Sequence, residues 1–244
     1  ARIAQHSPSS HRAERAELAR ATGPDVPGSC IPKGMLDLYT WQTPNGTKPA
    51  ILLAELEVPY ELHLVDLTRG EQKGLDFLEL NPNGKIPVLV DRDEHVGCAV
   101  VFESGAILQY LAEKFGRFLP HELGAKRAAV LSWLYWQATG PAPVFGLVKR
   151  FARATPRDDA AFGHFVAEAK RLVGVFDARL EDREFVCDEY SIADIAAYPW
   201  FEALAKELPE ALEGTQNVHH WLKRMGHRPG VKLGMRLEQV KRAA

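Results

Sequence analysis

The chain has 244 residues, 46% of them apolar and 25% charged, with a formal net charge of −2. That balance supplies no basic face for nucleic acid, and no apolar run approaches the roughly 18 residues of a membrane span. One large or two small globular domains are expected, without a nucleic-acid or membrane partner.

Three cysteines, Cys30, Cys98 and Cys187, stand far apart with no C-x-x-C, so a reduced, cytoplasmic protein is expected rather than a disulfide scaffold. The N-terminus has no apolar core before a small-residue cleavage site and does not read as a secretory signal. His219 and His220 are adjacent, with no cysteine or carboxylate cluster beside them, and no metal site is expected there.

Residues 1–34 are polar and rich in Ser, Pro, Arg and Ala, and read as an extension with a short charged helix over His11–Ala21. Met35–Thr40 alternates apolar and polar and predicts a strand. After the Thr43-Pro-Asn-Gly46 turn signal, a helix is expected over Thr47–Glu57, with Pro49 in its first turn. Tyr60–Leu67 predicts a second strand, parallel to the first because a helix intervenes. Leu75–Leu80 reads as a short helix, and Asn81–Lys85 as a loop. Pro87–Asp91 and Ala99–Phe102 form a predicted hairpin across Arg92–Gly97. Ser104–Gly116 carries Ile107, Leu108, Leu111 and Phe115 at helical spacing and ends at glycine. Beyond Arg117–His121 the strand signals stop. Helices are expected at Gly124–Thr139, Asp158–Leu180, Ser191–Ala205, Val218–Met225 and Val231–Val240. A sheet-bearing half followed by a helical half predicts an α+β chain in two domains joined near residue 118.

Four segments could carry chemistry or merely terminate elements. Thr43–Gly46 follows a parallel strand, where α/β sheets place ligands, and precedes a helix whose free N–H groups and dipole suit an anion. The plainer reading is a turn whose Thr47 caps the helix. Asn81–Pro87 is a loop ending in proline. A cis Ile86–Pro87 bond would present the Ile86 backbone to a peptide, although X-Pro bonds are mostly trans. Ser104 opens the strongest helix and is a candidate N-cap. Alternatively, its hydroxyl and the helix N-terminus could hold a carboxylate while Glu103 holds an ammonium. Ser191-Ile-Ala-Asp194 is a capping box with a folding role, and Asp194 should be buried and accept backbone N–H bonds.

Taken in order and spacing, TPNG, Gly70-Glu-Gln72, NPNGKIPVLVD, FESGAILQYLAEKFGRFLP and YSIADIAAYPW closely resemble the glutathione transferase family. The TPNG and NPNGKIP forms resemble its nu-class, the bacterial disulfide-bond oxidoreductase branch. The resemblance implies a thioredoxin-like βαβαββα domain over 35–117, an all-helical domain over 118–244, and a homodimer. It implies glutathione as co-substrate, without a metal, and a small disulfide or electrophile as second substrate. Thr43 and Asn45 match the catalytic pair facing the glutathione sulfur. Gln72 and Lys85 match positions near its glycine carboxylate. Ile86, before the cis-proline matched by Pro87, pairs with its cysteinyl backbone. Glu103 and Ser104 match the pair holding its γ-glutamyl amine and carboxylate. Two glutathiones, or one glutathione disulfide, can share such a site. The activity implied is disulfide reduction by a bound thiolate, with weak transferase and peroxidase activity. Conventional conjugation and a non-catalytic glutathione-binding module are the alternatives. Trp41–Asn45 holds no cysteine, so no enzyme thiol is expected as nucleophile. Lys149, Arg150 and Arg153 could meet the carboxylates of a second glutathione or form a solvated basic face.

Overall fold

A computed structural model describes residues 36–93 and 97–237. The expected extension with its charged helix, Cys30, Met35, the centre of the 92–97 turn and residues 238–240 of the final helix lie outside the described residues.

Strand β1 (Leu36–Thr40) leads into helix α1 (Pro44–Leu56), then β2 (Tyr60–Leu64), a 3-10 turn (Glu71–Lys73), α2 (Leu75–Leu80), β3 (Val88–Asp91), β4 (Ala99–Phe102) and α3 (Ser104–Phe115). The sheet order is β2-β1-β3-β4, with β1–β2 parallel and the other two pairs antiparallel. This is the expected thioredoxin-like arrangement, with β2 three residues shorter than its apolar pattern suggested. Gly116 ends α3 at φ +64°, a conformation glycine adopts without steric cost.

Helix α1 starts three residues before its predicted N-terminus. Thr43, not Thr47, is the cap: its Oγ1 accepts the Gly46 N–H at 3.0 Å. Pro44 occupies the first helical position, where a missing N–H costs nothing. Pro49 consequently falls in the helix interior, contrary to its expected place in the first turn. Gly46 is fixed by proximity. A Cβ there would lie 2.1 Å from the Trp41 carbonyl oxygen and 2.6 Å from Thr40 Oγ1, so only glycine lets the loop fold back on the helix.

The helical half comprises α4 (Ala125–Thr139), α5 (Pro141–Ala152), α6 (Asp159–Arg179), α7 (Ile192–Glu207), a 3-10 turn (Pro209–Leu212), α8 (Gln216–His227) and α9 (Pro229–Gly234). Helix α5 is absent from the predicted set. Its two prolines discourage a helical reading, yet Pro141 and Pro143 sit in the first turn, where their missing donors have no intrahelical partner. The helix expected over Val231–Val240 instead starts at Pro229 and ends at Gly234. Gly234 lets it cross α1 at backbone contact: a Cβ would lie 2.3 Å from the Ile51 nitrogen. A second cis bond, Thr155–Pro156, accompanies Ile86–Pro87.

One apolar core runs through both halves, from Leu38, Ile51, Leu52 and Leu108 to Phe145, Phe176, Phe201 and Trp221. Val65, Phe77 and Val88 form a smaller cluster. The capping box forms as expected: Ser191 Oγ accepts the Ala193 N–H, and Asp194 reaches back to the Ser191 N–H. Buried Asp194 also accepts from the Val186 N–H and Trp221 Nε1, both at 3.0 Å, so α7, α8 and the preceding loop meet on one carboxyl group. Burial raises that group to about 6 against the pull of its donors. Asp194→Ala would leave the Val186, Ser191 and Trp221 donors buried without an acceptor. A loss of at least about 3 kcal/mol is expected in urea unfolding; a loss below about 1 kcal/mol would show that these donors find other partners.

Candidate functional site

Strand register brings the sequence-singled segments to one end of the sheet. Tyr39 of β1 pairs with Val88 of β3, and Val88 with Phe102 of β4, while Thr40 pairs with Leu64. The Thr43 loop, the Ile86–Pro87 bond and Glu103–Ser104 therefore issue from adjacent strand ends, as expected of a ligand-binding edge in such sheets.

Thr43 Oγ1 uses a lone pair to cap α1, which leaves its O–H free to donate. The helix supplies fewer amide donors than a bare N-terminus would. Pro44 has none, and the Gly46 N–H belongs to Thr43, so Asn45 keeps the remaining one of the first three. The Asn45 side chain is oriented from the helical half: Trp200 Nε1 on α7 donates to its Oδ1 at 2.8 Å. With its acceptor engaged, the Asn45 Nδ2 donors remain available. Both residues open onto a cavity of about 270 Å³, whose wall includes Phe145, Gly146 and Lys149 of α5 and Trp200 and Glu207 of α7. Gly146 makes room for Trp200, whose ring edge lies 3.4 Å from where a Cβ would stand.

Gln42, just before Thr43, is clasped by the segment that follows α9: its Nε2 donates to the Met235 carbonyl at 2.9 Å and its Oε1 accepts the Leu237 N–H at 3.2 Å.

The second cluster lies at the N-terminus of α3. Ser104 is not the cap expected of it. Glu103 takes that position at φ +72°, a strained conformation for a non-glycine residue, and makes no side-chain capping bond. Ser104, the first helical residue, is almost fully buried and has its hydroxyl turned to Lys48 Nζ, 3.5 Å away. Lys48 is itself 1% exposed and donates to Gln137 Oε1 of α4 at 2.8 Å. Among the described residues it forms no ion pair. Burial draws its ammonium down to about 7, with Glu103 pulling the other way.

Gln72 sits in the 3-10 turn with its Oε1 buried and unpartnered. Lys85 is exposed in the neighbouring loop, whose shape Asn81 sets by donating to the Lys85 carbonyl and accepting the Asn83 N–H. Gly84 packs this loop onto the turn, its Cβ position 3.0 Å from the Gln72 carbonyl oxygen.

Other candidate nucleophiles and ligands are unsuited to such roles. Cys98 is exposed but does not line the cavity, and burial pushes the Cys187 thiol up to about 12, away from the thiolate. Tyr39 stacks on His63 with ring centroids 4.4 Å apart, and burial raises its hydroxyl above the usual tyrosine value. Asp37, Glu61 and His63 form the one convergent metal-ligand set among the described residues, but Asp37 already pairs with His63 and Arg92. Of the three basic residues singled out on α5 and just beyond, Lys149 reaches the cavity, Arg150 is exposed, and Arg153 is held by both oxygens of Glu207.

Lys48, Gln137 and Trp200 escaped the sequence reading. Lys48 had one local signal, lying three and four residues before Ile51 and Leu52 on a helix and hence on their buried face.

Comparison with known proteins agrees with this geometry. Residues 35–113 match the sequence model of the glutathione S-transferase N-terminal domain, and residues 135–229 that of its C-terminal domain. The disulfide-bond oxidoreductase YghU of Escherichia coli is 41% identical over 218 residues, 84% of this chain and 75% of YghU. YfcG, a disulfide-bond oxidoreductase of the same organism, is 43% identical over 199 residues, 80% of this chain and 92% of YfcG. A Pseudomonas putida glutathione transferase, solved with one glutathione disulfide bound per subunit, superposes with a TM-score of 0.79 at 37% identity, covering 86% of this chain and 93% of that one. A Burkholderia graminis glutathione transferase with two glutathione molecules bound per subunit also superposes at 0.79, with 35% identity over 95% of this chain and 97% of that one. The chain belongs to the glutathione S-transferase family.

Proposed function

We propose that this protein is a cytoplasmic, homodimeric, glutathione-dependent disulfide-bond oxidoreductase in which the thiolate of bound glutathione is the nucleophile. One observation carries the reading: a hydroxyl with a free proton, Thr43, and an amide locked by Trp200, Asn45, face one cavity from a loop that contains no cysteine. In this proposal residues 35–117 hold the tripeptide and 118–244 supply the opposite wall. Gln72 and Lys85 receive the glycine carboxylate, the Ile86 backbone beside cis Pro87 pairs with the cysteinyl unit, and Glu103 and Ser104 take the γ-glutamyl amine and carboxylate. YghU and YfcG, named as disulfide-bond oxidoreductases, support the reading, as do the relatives solved with glutathione disulfide or two glutathiones.

The chemistry then needs no enzyme thiol. A free thiol has a pKa of about 8.5, and lowering it by two units takes about 2.7 kcal/mol of preference for the thiolate. A hydrogen bond to a charged acceptor contributes about 1.5–3 kcal/mol, so Thr43 and Asn45 together cover the requirement. The thiolate attacks one sulfur of the substrate disulfide and expels the other as a thiolate. A second glutathione attacks the glutathione sulfur of the mixed disulfide, releasing the remaining half of the substrate. Two glutathiones are oxidised to one glutathione disulfide, and the substrate leaves as two thiols. Lys149 on the cavity wall would favour the carboxylates of the second tripeptide. Conjugation to an apolar electrophile is the second reading, favoured by Phe145, Trp200 and Leu204 on the same wall.

Parallel assays with hydroxyethyl disulfide and chlorodinitrobenzene separate the two readings, and disulfide turnover should exceed conjugation. Conjugation as the faster reaction would exchange their order, and no turnover in either, with glutathione still bound, would leave a binding module. Thr43→Ala should cost more at pH 7 than at pH 9, by roughly tenfold or more; equal losses at both would remove thiolate stabilisation as its role. Trp200→Phe keeps an aromatic side chain but removes the indole N–H that holds the Asn45 amide, so kcat at neutral pH should fall about fivefold with KM for glutathione little changed. Unaltered turnover would mean that Asn45 needs no such fixing.

A further inference from the structure

The core beneath the α3 N-terminus has more donors than acceptors. Lys48 brings three N–H bonds, directed to Gln137 Oε1 at 2.8 Å and, more distantly, to Ser104 Oγ at 3.5 Å. Gln137, 1% exposed, keeps its Nε2 buried with no partner. Directly above, α3 begins without a side-chain cap, so its first-turn N–H groups point to the same place with the positive end of the helix dipole. A fully buried ammonium with no ion-pair partner among the described residues, beside an orphaned amide donor and an uncapped helix, is an arrangement completed by an anion.

We propose that Lys48 is the buried counter-charge for the ligand carboxylate received at Ser104, acting through the Ser104 hydroxyl as a positioning residue. The proposal rests on the reading of Glu103 and Ser104 as an amino-acid receptor, and adds a third group from beneath it. In the free protein the ammonium has neutral acceptors, and among charged side chains around it Glu103 alone acts on its ionisation. Around Lys48, α4 presents neutral Gln137, and α3 presents Glu103 and neutral Ser104. Burial brings Lys48 down to about 7, so its ammonium is no longer held fully charged at neutral pH. When the ligand amine engages Glu103, the carboxylate takes over as partner and the charged form of Lys48 becomes the stable one. Binding a zwitterionic α-amino-acid head group should therefore draw a proton from solution, and the site should reject ligands that carry the amine without the carboxylate. That selects the γ-glutamyl end of a peptide over a simple amine by a charge that no solvent-exposed residue supplies.

The test uses S-methylglutathione, which has no titrating thiol, and its analogue with the γ-glutamyl α-carboxylate replaced by hydrogen. Titration calorimetry at pH 7 in buffers of different ionisation enthalpy reads proton uptake on the unmodified protein, so it does not depend on any variant folding. A measurable fraction of a proton should be taken up with S-methylglutathione and essentially none with the analogue, which should bind at least roughly 30-fold more weakly. Lys48→Met removes a buried charge, which offsets the loss of the donor to Gln137 Oε1, and its folding is checked by thermal unfolding. It should abolish the uptake and shrink the discrimination between the two ligands several-fold. If the unmodified protein does not distinguish the two ligands, the receptor reading of Glu103 and Ser104 falls and the inference with it. If it distinguishes them without proton uptake, and Lys48→Met preserves the same ratio, the receptor stands and the role of Lys48 is overturned.

Discussion

Helix α1 is enclosed on every side, and the rest of the molecule is arranged around that fact. Gly46 to Leu53 are all buried, with β1, α3, α7 and α9 packed against them. A helix with so little solvated face can only be central. Its N-terminus is thereby placed from four directions at once. The sheet sets its height through β1, and Gly234 lets α9 press on its backbone. From α7, Trp200 reaches the first turn. The loop that turns into α1 needs no rigidity of its own, because its neighbours define it.

Centrality also fits the proposed chemistry. A cysteine in this loop would bring its own nucleophile. Here the protein brings oriented donors, a hydroxyl and an amide whose positions are set before any ligand arrives. Preorganised donors in a site partly shielded from water stabilise charge without reorganising when it forms. The α3 end follows the same logic: Lys48, Ser104 and Gln137 are buried together with more donors than acceptors among them. The two clusters belong to different helices but are joined beneath the surface, since Lys48 lies on α1 and Ser104 on α3.

Local signals in the sequence were dependable where one segment decides its own structure. The 191–194 capping box, the glycine at the end of α3, the hairpin of β3 and β4 and the extent of α2 all follow from residues adjacent to one another. Proline misled where its position in the turn mattered more than its presence. Pro141 and Pro143 open α5, a helix absent from the expected set, and Pro49 lies inside α1, whose first turn begins five residues earlier, at Pro44. Ser104 had every local mark of a cap, yet the cap position passed to Glu103 because the chain leaves β4 with a positive φ there. The segments of the candidate site stand out in the sequence because they carry family motifs. Its supports do not, because the partners of Asn45 and Lys48 lie 155 and 89 residues further along the chain. No window of sequence contains both halves of such a contact.

Gln42 shows how far that dependence extends. The residue beside Thr43 is held by a carbonyl 193 residues later and an amide two residues beyond that. During synthesis the sheet and α1 emerge from the ribosome long before residues 235–237 do. The nascent chain can therefore assemble its scaffold while the loop beside Thr43 still lacks this clasp. The geometry of the Thr43 loop is therefore completed only by the last residues of the described chain.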